Sequence, residues 1–431
     1  MFEKQEAMCE YALDYSISRG VDCAECAIQF SYLNEISVSK NQIVQYKTCD
    51  RTEALLRVIK DNRAGVALLS TLSKSEIANT VDLCLETIEY MDTDITEEIS
   101  QHEDRKVFID GNKEIKMQQV ATLAKEFLLD INSLYPDIVI SEMCVPYSDT
   151  HVYYGNTNGV KLFHCFSKCD AFVEYNNKSS SNSTMCYLDY SFSNVPKRLL
   201  DIGDQNFFFN LKQHVTQPIS LNPKNNYKVI LTPSVVEDIV VGGIYSLCNS
   251  LSVLSGTTPW INKLNCCVAD ERLTLSLNPY HCDIVCGERI TDDGTVSKPF
   301  YVLQNGILRA FLLSRKAAIK TKLPIAPNTS DCFVIDPGVE SYRDIIASAK
   351  HGIVVGRYSG SDFSPAGDFS GLAKNSYMIE NGMIMHEAIN VKIVGNILDL
   401  LLGVGEISSI ECPNGYNVLP WMVIDSGISV C

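Results

Sequence analysis

No stretch of this 431-residue chain supplies the roughly 20 consecutive apolar residues that a bilayer crossing needs. The most apolar windows, around Ile239 to Leu254 and Ile393 to Val404, are broken by Gly, Asn and Asp, so no membrane partner is expected. Positive charge is scarce as well: 36 Lys and Arg stand against 52 Asp and Glu, a formal net charge of −16. Phosphate backbones are bound through cations that displace counterions, so nucleic acid is not an expected partner. The chain lacks a Gly-x-x-x-x-Gly-Lys-Ser/Thr loop and a Gly-x-Gly-x-x-Gly fingerprint, the usual carriers of nucleotide chemistry. It also lacks a completed zinc helix, because the His386-Glu387 pair is followed by Asn390 and Val391 rather than a second histidine. The first residues, Met1 to Glu6, are charged and carry neither the apolar core nor the cleavage site of a secretory signal. The expected location is cytoplasmic.

What is present describes an ordinary globular protein, 46% hydrophobic and 20% charged. The length exceeds what one core usually holds, so two or three domains are expected. Seventeen cysteines in a reducing compartment read as thiols rather than as a disulfide framework. The glycosylation-type matches at Asn177, Asn182 and Asn328 carry no weight there.

Periodicity gives an α+β fold class: an N-terminal α/β unit with antiparallel strands and helices over 1–91, a middle or linking domain over 92–220, and a β-rich C-terminal domain with hairpins and a few helices over 221–431. Cys9, Leu13 and Ile17, with Ala12 and Ser16, suggest a first helix that ends at Gly20. Strand-like runs follow at Ala27 to Tyr32 and Ile36 to Tyr46. A hairpin is expected from Ala54 to Ile59 and Ala64 to Leu69, turning at 61–63. Ser73 and Glu76 then form a capping box before Ile77, Val81, Cys84 and Ile88, which recur at helical spacing. The acidic run from Asp92 to Asp104 reads as an exposed connection, followed by a helix over Lys113 to Leu134. Strands are expected on both sides of Asn158-Gly159, and Ser179 to Thr184 reads as a polar loop. Further on, a strand over Tyr227 to Leu231 is expected to lead into one helix over Val235 to Leu254. Asp293-Gly294, Asn305-Gly306, Asn381-Gly382 and Asn414-Gly415 are hairpin candidates of an antiparallel sheet without crossover units.

Three strings recur in a fixed order: Val229 to Val236, then Leu303 to Leu308 with Ser314 to Ala318, then Ser359 to Gly371 with Glu380-Asn381-Gly382 and Val394-Gly395-Asn396. Together they resemble the TldD/PmbA family, also called modulators of DNA gyrase, whose catalytic members are zinc peptidases. The resemblance implies a His-Glu-x-x-x-His helix after the Val229 strand in peptidase members. Here Ile239 to Asn249 contains no histidine, and the nearest acids, Glu237 and Asp238, come earlier. Cys412 occupies a place comparable to a further ligand of the peptidases, but one ligand makes no site. No catalytic residue, metal or cofactor is therefore expected.

The resemblance implies instead a non-catalytic, PmbA/TldE-like subunit. Its expected partners are a zinc-bearing TldD-like subunit, or itself as a dimer, and unfolded or leader peptides taken up as an added β-strand. The family signature Gly367, Asp368, Phe369 and Ser370 reads as a turn whose glycine permits a positive φ, or as part of a groove. Two alternatives stay open: a stand-alone homodimeric peptide-binding or structural protein, and a thiol-dependent peptidase. The thiol candidates are Cys23-Ala24-Glu25-Cys26, His164-Cys165 with Cys169, and His281-Cys282 with Cys286, all read first as buried small side chains or chance neighbours.

Overall fold

A computed structural model describes residues 2–113, 115–178, 186–203, 205–215, 217–221, 227–328, 332–411 and 413–431. Its N-terminal half is built on one seven-stranded sheet in the order β3-β2-β1-β5-β6-β4, with β7 also paired to β6. The strands are β1 (Cys23–Ser39), β2 (Gln42–Lys60), β3 (Arg63–Leu69), β4 (Lys106–Gly111), β5 (Ile138–Asn156), β6 (Lys161–Asn177) and β7 (Cys186–Phe192). β1 alternates buried and half-buried residues at both ends and so serves two cores. Cys26 and Ile28 pack under α1 (Phe2–Ser18) and α2 (Lys74–Ile88), whereas Ile36 and Val38 pack under α3 (Met117–Leu134).

Local chemistry sets these elements. Ser73 Oγ accepts from Glu76 N at the start of α2, and Ile77, Val81, Cys84 and Ile88 all face inward. Asp61 and Asn62 both have positive φ, the two-residue hairpin turn whose twist matches its strands. Lys40 and Asn41 form a second turn of this kind, so the expected strand from Ile36 to Tyr46 is in fact two antiparallel strands. No glycine marks that turn. In α1 the buried face is Gln5, Cys9, Ala12 and Ser16, and Ile17 is exposed, a rotation of the expected stripe. α3 begins at Met117 rather than Lys113.

The boundary expected at Met91 falls inside the sheet, because β1 pairs with β5 from Glu25↔Asn156 to Ser39↔Glu142. The acidic run that follows Met91 is a clasp rather than a free connection. Arg57 bonds Glu25 and Glu97, while Lys316 reaches Asp94 and Glu97, and Lys320 reaches Asp94. A second clasp joins Arg289 bidentately to Asp110 at 2.9 and 2.8 Å, with His164 on the same carboxylate at 2.9 Å.

In the C-terminal half, a seven-stranded sheet runs in the order Val404–Glu411, Pro420–Ile424, β9 (Lys228–Leu231), His351–Val355, Ser376–Glu380, Met383–Ala388 and β8 (Pro218–Ile219). Two four-stranded sheets flank it. It is mixed rather than wholly antiparallel: β9 runs parallel to His351–Val355 and β8 parallel to Met383–Ala388, as β4 does to β6. Among the candidate turns, Asn305-Gly306 and Asn381-Gly382 have two positive φ values each and join paired strands. At Asp293-Gly294 and Asn414-Gly415 only the glycine does. α4 (Gln205–His214) ties the halves together by stacking Phe208 on Trp421 and by a fully buried ion pair, Lys212 with Glu387 at 2.8 Å. Among the described residues, no helix is long and apolar enough to cross a membrane. The Ser179 to Thr184 loop lies outside the described residues.

Candidate functional site

β9 is buried and delivers the chain to Thr232, after which Pro233 takes a first-turn helical position where its missing N–H costs nothing. The helix then widens into a π turn over Val236–Val241, tightens over Gly242–Cys248 and stops at Asn249, whose ψ is 161°. The single helix expected over Val235 to Leu254 is thus broken twice. Asn249 starts a new turn by accepting from Ser252 N. Gly243 is needed where Ile397 crosses, since a Cβ there would sit 2.5 Å from Ile397 Cγ1.

The signature residues brace this helix from outside. Gly367 has φ +92°, and its carbonyl accepts from Ile397 N. Asn396 Nδ2 holds Ala366 O and Asp368 Oδ1 at 2.9 Å each, Ser364 Oγ accepts from Asp368 N, and Phe369 is buried beside Phe363. Ser370 is exposed and contributes its carbonyl to Ser361. None of the four lines the cavity between the two halves of the chain.

The cavity lies at the helix start, a space of about 750 Å³ between the two halves. Tyr187 to Tyr190 of β7 form one wall; Thr232, Glu237 and Asp238 form the floor; Arg357, Tyr358 and the Asn414–Asn417 loop close it. β7 pairs with β6 and Arg357–Gly360 with Asp368–Lys374, so among the described residues each wall is the outermost strand of its sheet, and Ser191 N at the end of β7 donates to Asn414 O. Three carboxylates, Asp189, Glu237 and Asp238, face one guanidinium, Arg357, which stacks 4.2 Å from the Tyr187 ring. Asp238 is reached from the cavity, yet protein crowds it enough that desolvation raises its pKa to about 6 against the pull of Arg357. Burial likewise raises Asp189, helped by Asp170. Asn417 Nδ2 fixes Glu237 Oε1 at 2.9 Å, and Tyr416 donates to Asp170 at 2.8 Å. A deep acidic slot with a tyrosine rim can take an extended chain that carries positive charge.

A catalytic zinc does not fit this helix. It presents Ile, Val, Gly, Tyr, Ser and Leu along 239–247, and its one thiol, Cys248, is fully buried with burial pushing its pKa far up. Cys412 lies outside the described residues. His386 sits on a strand, and Glu387 is the counter-ion of Lys212 rather than a base beside a metal.

The thiol candidates separate in space. Cys23 and Cys26 lie on β1 at odd spacing, on opposite faces of the sheet. His164 and Cys165 are strand neighbours that likewise diverge, and His164 goes to Asp110. Cys165 instead meets His151 across the β5–β6 ladder, Sγ to Nδ1 at 3.2 Å, with Asp149 Oδ2 at 3.4 Å from Nε2. Sequence reasoning missed this Cys-His-Asp arrangement; its only signal was the register His151↔Cys165, which no local motif announces. Cys165 is 1% exposed and desolvation holds its thiol up at about 11, so it lacks the thiolate and the access that nucleophilic catalysis requires. His281 and Cys282 are not buried: they lie on a surface turn.

Residues 224–430 match the PmbA/TldA metallopeptidase C-terminal domain. A protein named metalloprotease from Methanocaldococcus jannaschii is 23% identical over 429 residues, 92% of each chain. Another of that name from Archaeoglobus fulgidus is 23% identical over 315 residues, covering 68% of this chain and 71% of its own. The crystal structure of TldE from Thermococcus kodakarensis superposes with a TM-score of 0.83 at 17% identity, over 99% of this chain and 100% of that one. At that identity the likeness shows the fold. With the matched C-terminal domain and whole-length relatives beside it, the chain belongs to the TldD/PmbA family.

Proposed function

We propose that the chain is a non-catalytic, PmbA/TldE-like subunit of a metallopeptidase assembly. In this reading it holds extended peptides for a zinc-bearing TldD-like partner chain, in the cytoplasm. The observation that carries the proposal is a cavity of about 750 Å³ walled by the outermost strands of two sheets, beside a helix that has no imidazole to offer a metal. Strand edges bind extended chains through main-chain hydrogen bonds with little regard for sequence, which suits unfolded segments or leader peptides. The acidic lining adds a preference for lysine or arginine along the bound chain.

The test is purification of this chain from its source cells, with metal analysis of the eluate and an assay on extended peptides. A stoichiometric second chain that bears zinc on a His-Glu-x-x-x-His helix, with cleavage only when both chains are present, is the expected result. Peptide cleavage by this chain alone with added zinc would overturn the proposal, as would recovery of the chain alone with no affinity for extended peptides.

A further inference from the structure

We propose that His281, Cys282 and Asp283 form a surface site for a thiophilic divalent cation of the zinc class, separate from the helix that carries zinc in peptidase relatives. The three residues follow the strand Leu275–Leu277 in a turn that is well pinned. His281 N donates to Asn278 O at 3.1 Å, Ile284 N to His281 O at 3.1 Å, and Tyr280 N to Asn278 Oδ1 at 3.1 Å. Val285 N donates to Gly415 O at 2.8 Å, which ties the turn to the loop closing the cavity.

The donor atoms form a nearly equilateral triangle. Cys282 Sγ is 4.0 Å from His281 Nδ1 and 3.7 Å from Asp283 Oδ2, and Nδ1 to Oδ2 is 3.7 Å. A point equidistant from such corners lies about 2.2 Å from each, within the span of zinc bonds to nitrogen, sulfur and oxygen, about 2.0–2.3 Å. A four-coordinate ion sits out of the plane of the three donors, so the side chains must close by a few tenths of an ångström, roughly, on a backbone turn that stays in place. Asp283 N lies 3.3 Å from Nδ1, so metal ligation by this nitrogen exchanges that hydrogen bond for the ion through a turn of the imidazole.

The donor set selects the ion. One sulfur, one imidazole nitrogen and one carboxylate oxygen suit zinc and its neighbours, whereas magnesium and calcium require oxygen shells. On binding, the Cys282 thiol gives its proton to solvent, so thiolate and carboxylate balance the divalent charge. Cys286 is not a fourth ligand, because its Sγ faces Ser167 O at 3.6 Å. Cys282 and Asp283 are exposed, so the fourth position opens to solvent and takes water.

The test strips the full-length protein with a chelator and titrates it with Co²⁺, following thiolate-to-cobalt charge-transfer absorption, then displaces Co²⁺ with Zn²⁺. Cys282→Ser and His281→Gln are compared with Cys266→Ser, which removes a different exposed thiol. One equivalent of Co²⁺, unaffected by Cys266→Ser, is expected. Losing a mere supporting partner weakens metal sites about 10- to 100-fold, so each direct-ligand variant should lose at least about tenfold. Undiminished affinity in both Cys282→Ser and His281→Gln, loss of the band in Cys266→Ser, or no band in the parent protein would each overturn the site. Thermal unfolding of the stripped variants should match the parent, since no core contact is removed.

Discussion

Replacing Lys212 with Met, leaving Glu387 in place, should cost about 3–5 kcal/mol, because it strands a carboxylate where water cannot reach. The two side chains are 1% and 5% exposed and their charged atoms are 2.8 Å apart. At that separation the attraction is worth about 6 kcal/mol for an effective dielectric of about 20, most of it offset by the desolvation of both ions. Asn177 Nδ2 also bonds the Lys212 carbonyl at 2.6 Å, which ties this part of α4 to β6. Glu387→Leu alone should be equally harmful. The double variant, Lys212→Met with Glu387→Leu, should return to within about 1 kcal/mol of the parent or exceed it, since the matched pair contributes little net stability. Unfolding entropy of about 2.1 cal/mol/K per residue over 431 residues makes 1 kcal/mol about 1 °C, so each single change should lower Tm by about 3–5 °C. Thermal unfolding followed by circular dichroism, with urea titration as a check, reads the cycle. Additive losses, with the double variant the least stable of the three, would refute the reasoning.

Two further predictions concern pH. Burial would raise the Asp110 carboxyl, but hydrogen bonds from His164 and Arg289 override it and hold the pKa at about 2, below the usual 3.8. The stabilisation is therefore complete above 3.8 and lost as pH falls toward 2. Asp110→Asn should cost about 1–2 kcal/mol at neutral pH after discounting for solvent screening, and flatten the acid limb of a stability curve. Asp238, raised to about 6, is charged above that pH and neutral below it, so binding of a lysine-bearing extended peptide should weaken as pH drops from 7.5 to 5. Asp238→Asn should weaken that binding about tenfold at pH 7.5, about 1.4 kcal/mol, and remove most of the pH dependence in a fluorescence titration.

Elements whose signals are local are legible in the chain. The cap at Ser73 and the stripe from Ile77 to Ile88 specify α2 without help from elsewhere, and Asn305-Gly306 and Asn381-Gly382 specify their turns. The turn at Lys40-Asn41 is not legible, because its left-handed residues are held by pairing along β1 and β2 rather than by glycine. The break at Asn249 is hidden in the same way: apolar residues continue past it, and the neighbouring backbone, through Leu312, decides the geometry. At the site, the absence of histidine along Ile239 to Asn249 is plain in the sequence. The cavity is not, since its walls come from β7, the Glu237 turn, Arg357 and the Asn414 loop, segments separated by up to about half the chain and brought together only by the closure of one half on the other. The signature at Gly367 to Ser370 lies next to the cavity wall, since Asp368–Lys374 pairs with Arg357–Gly360 and Phe369 packs on Tyr358.

The clasps at Asp110–Arg289 and at Asp94 and Glu97 with Lys316 and Lys320 join the two halves by charge, beside the stack of Phe208 on Trp421, whereas each half is stitched internally by apolar cores. Salt acts unequally on these two kinds of fastening: it weakens the attraction between exposed charges, over a screening length of about 8 Å at physiological strength, and leaves buried apolar contacts intact. Rising ionic strength should therefore loosen the charged part of the joint between the halves before it touches the fold of either one.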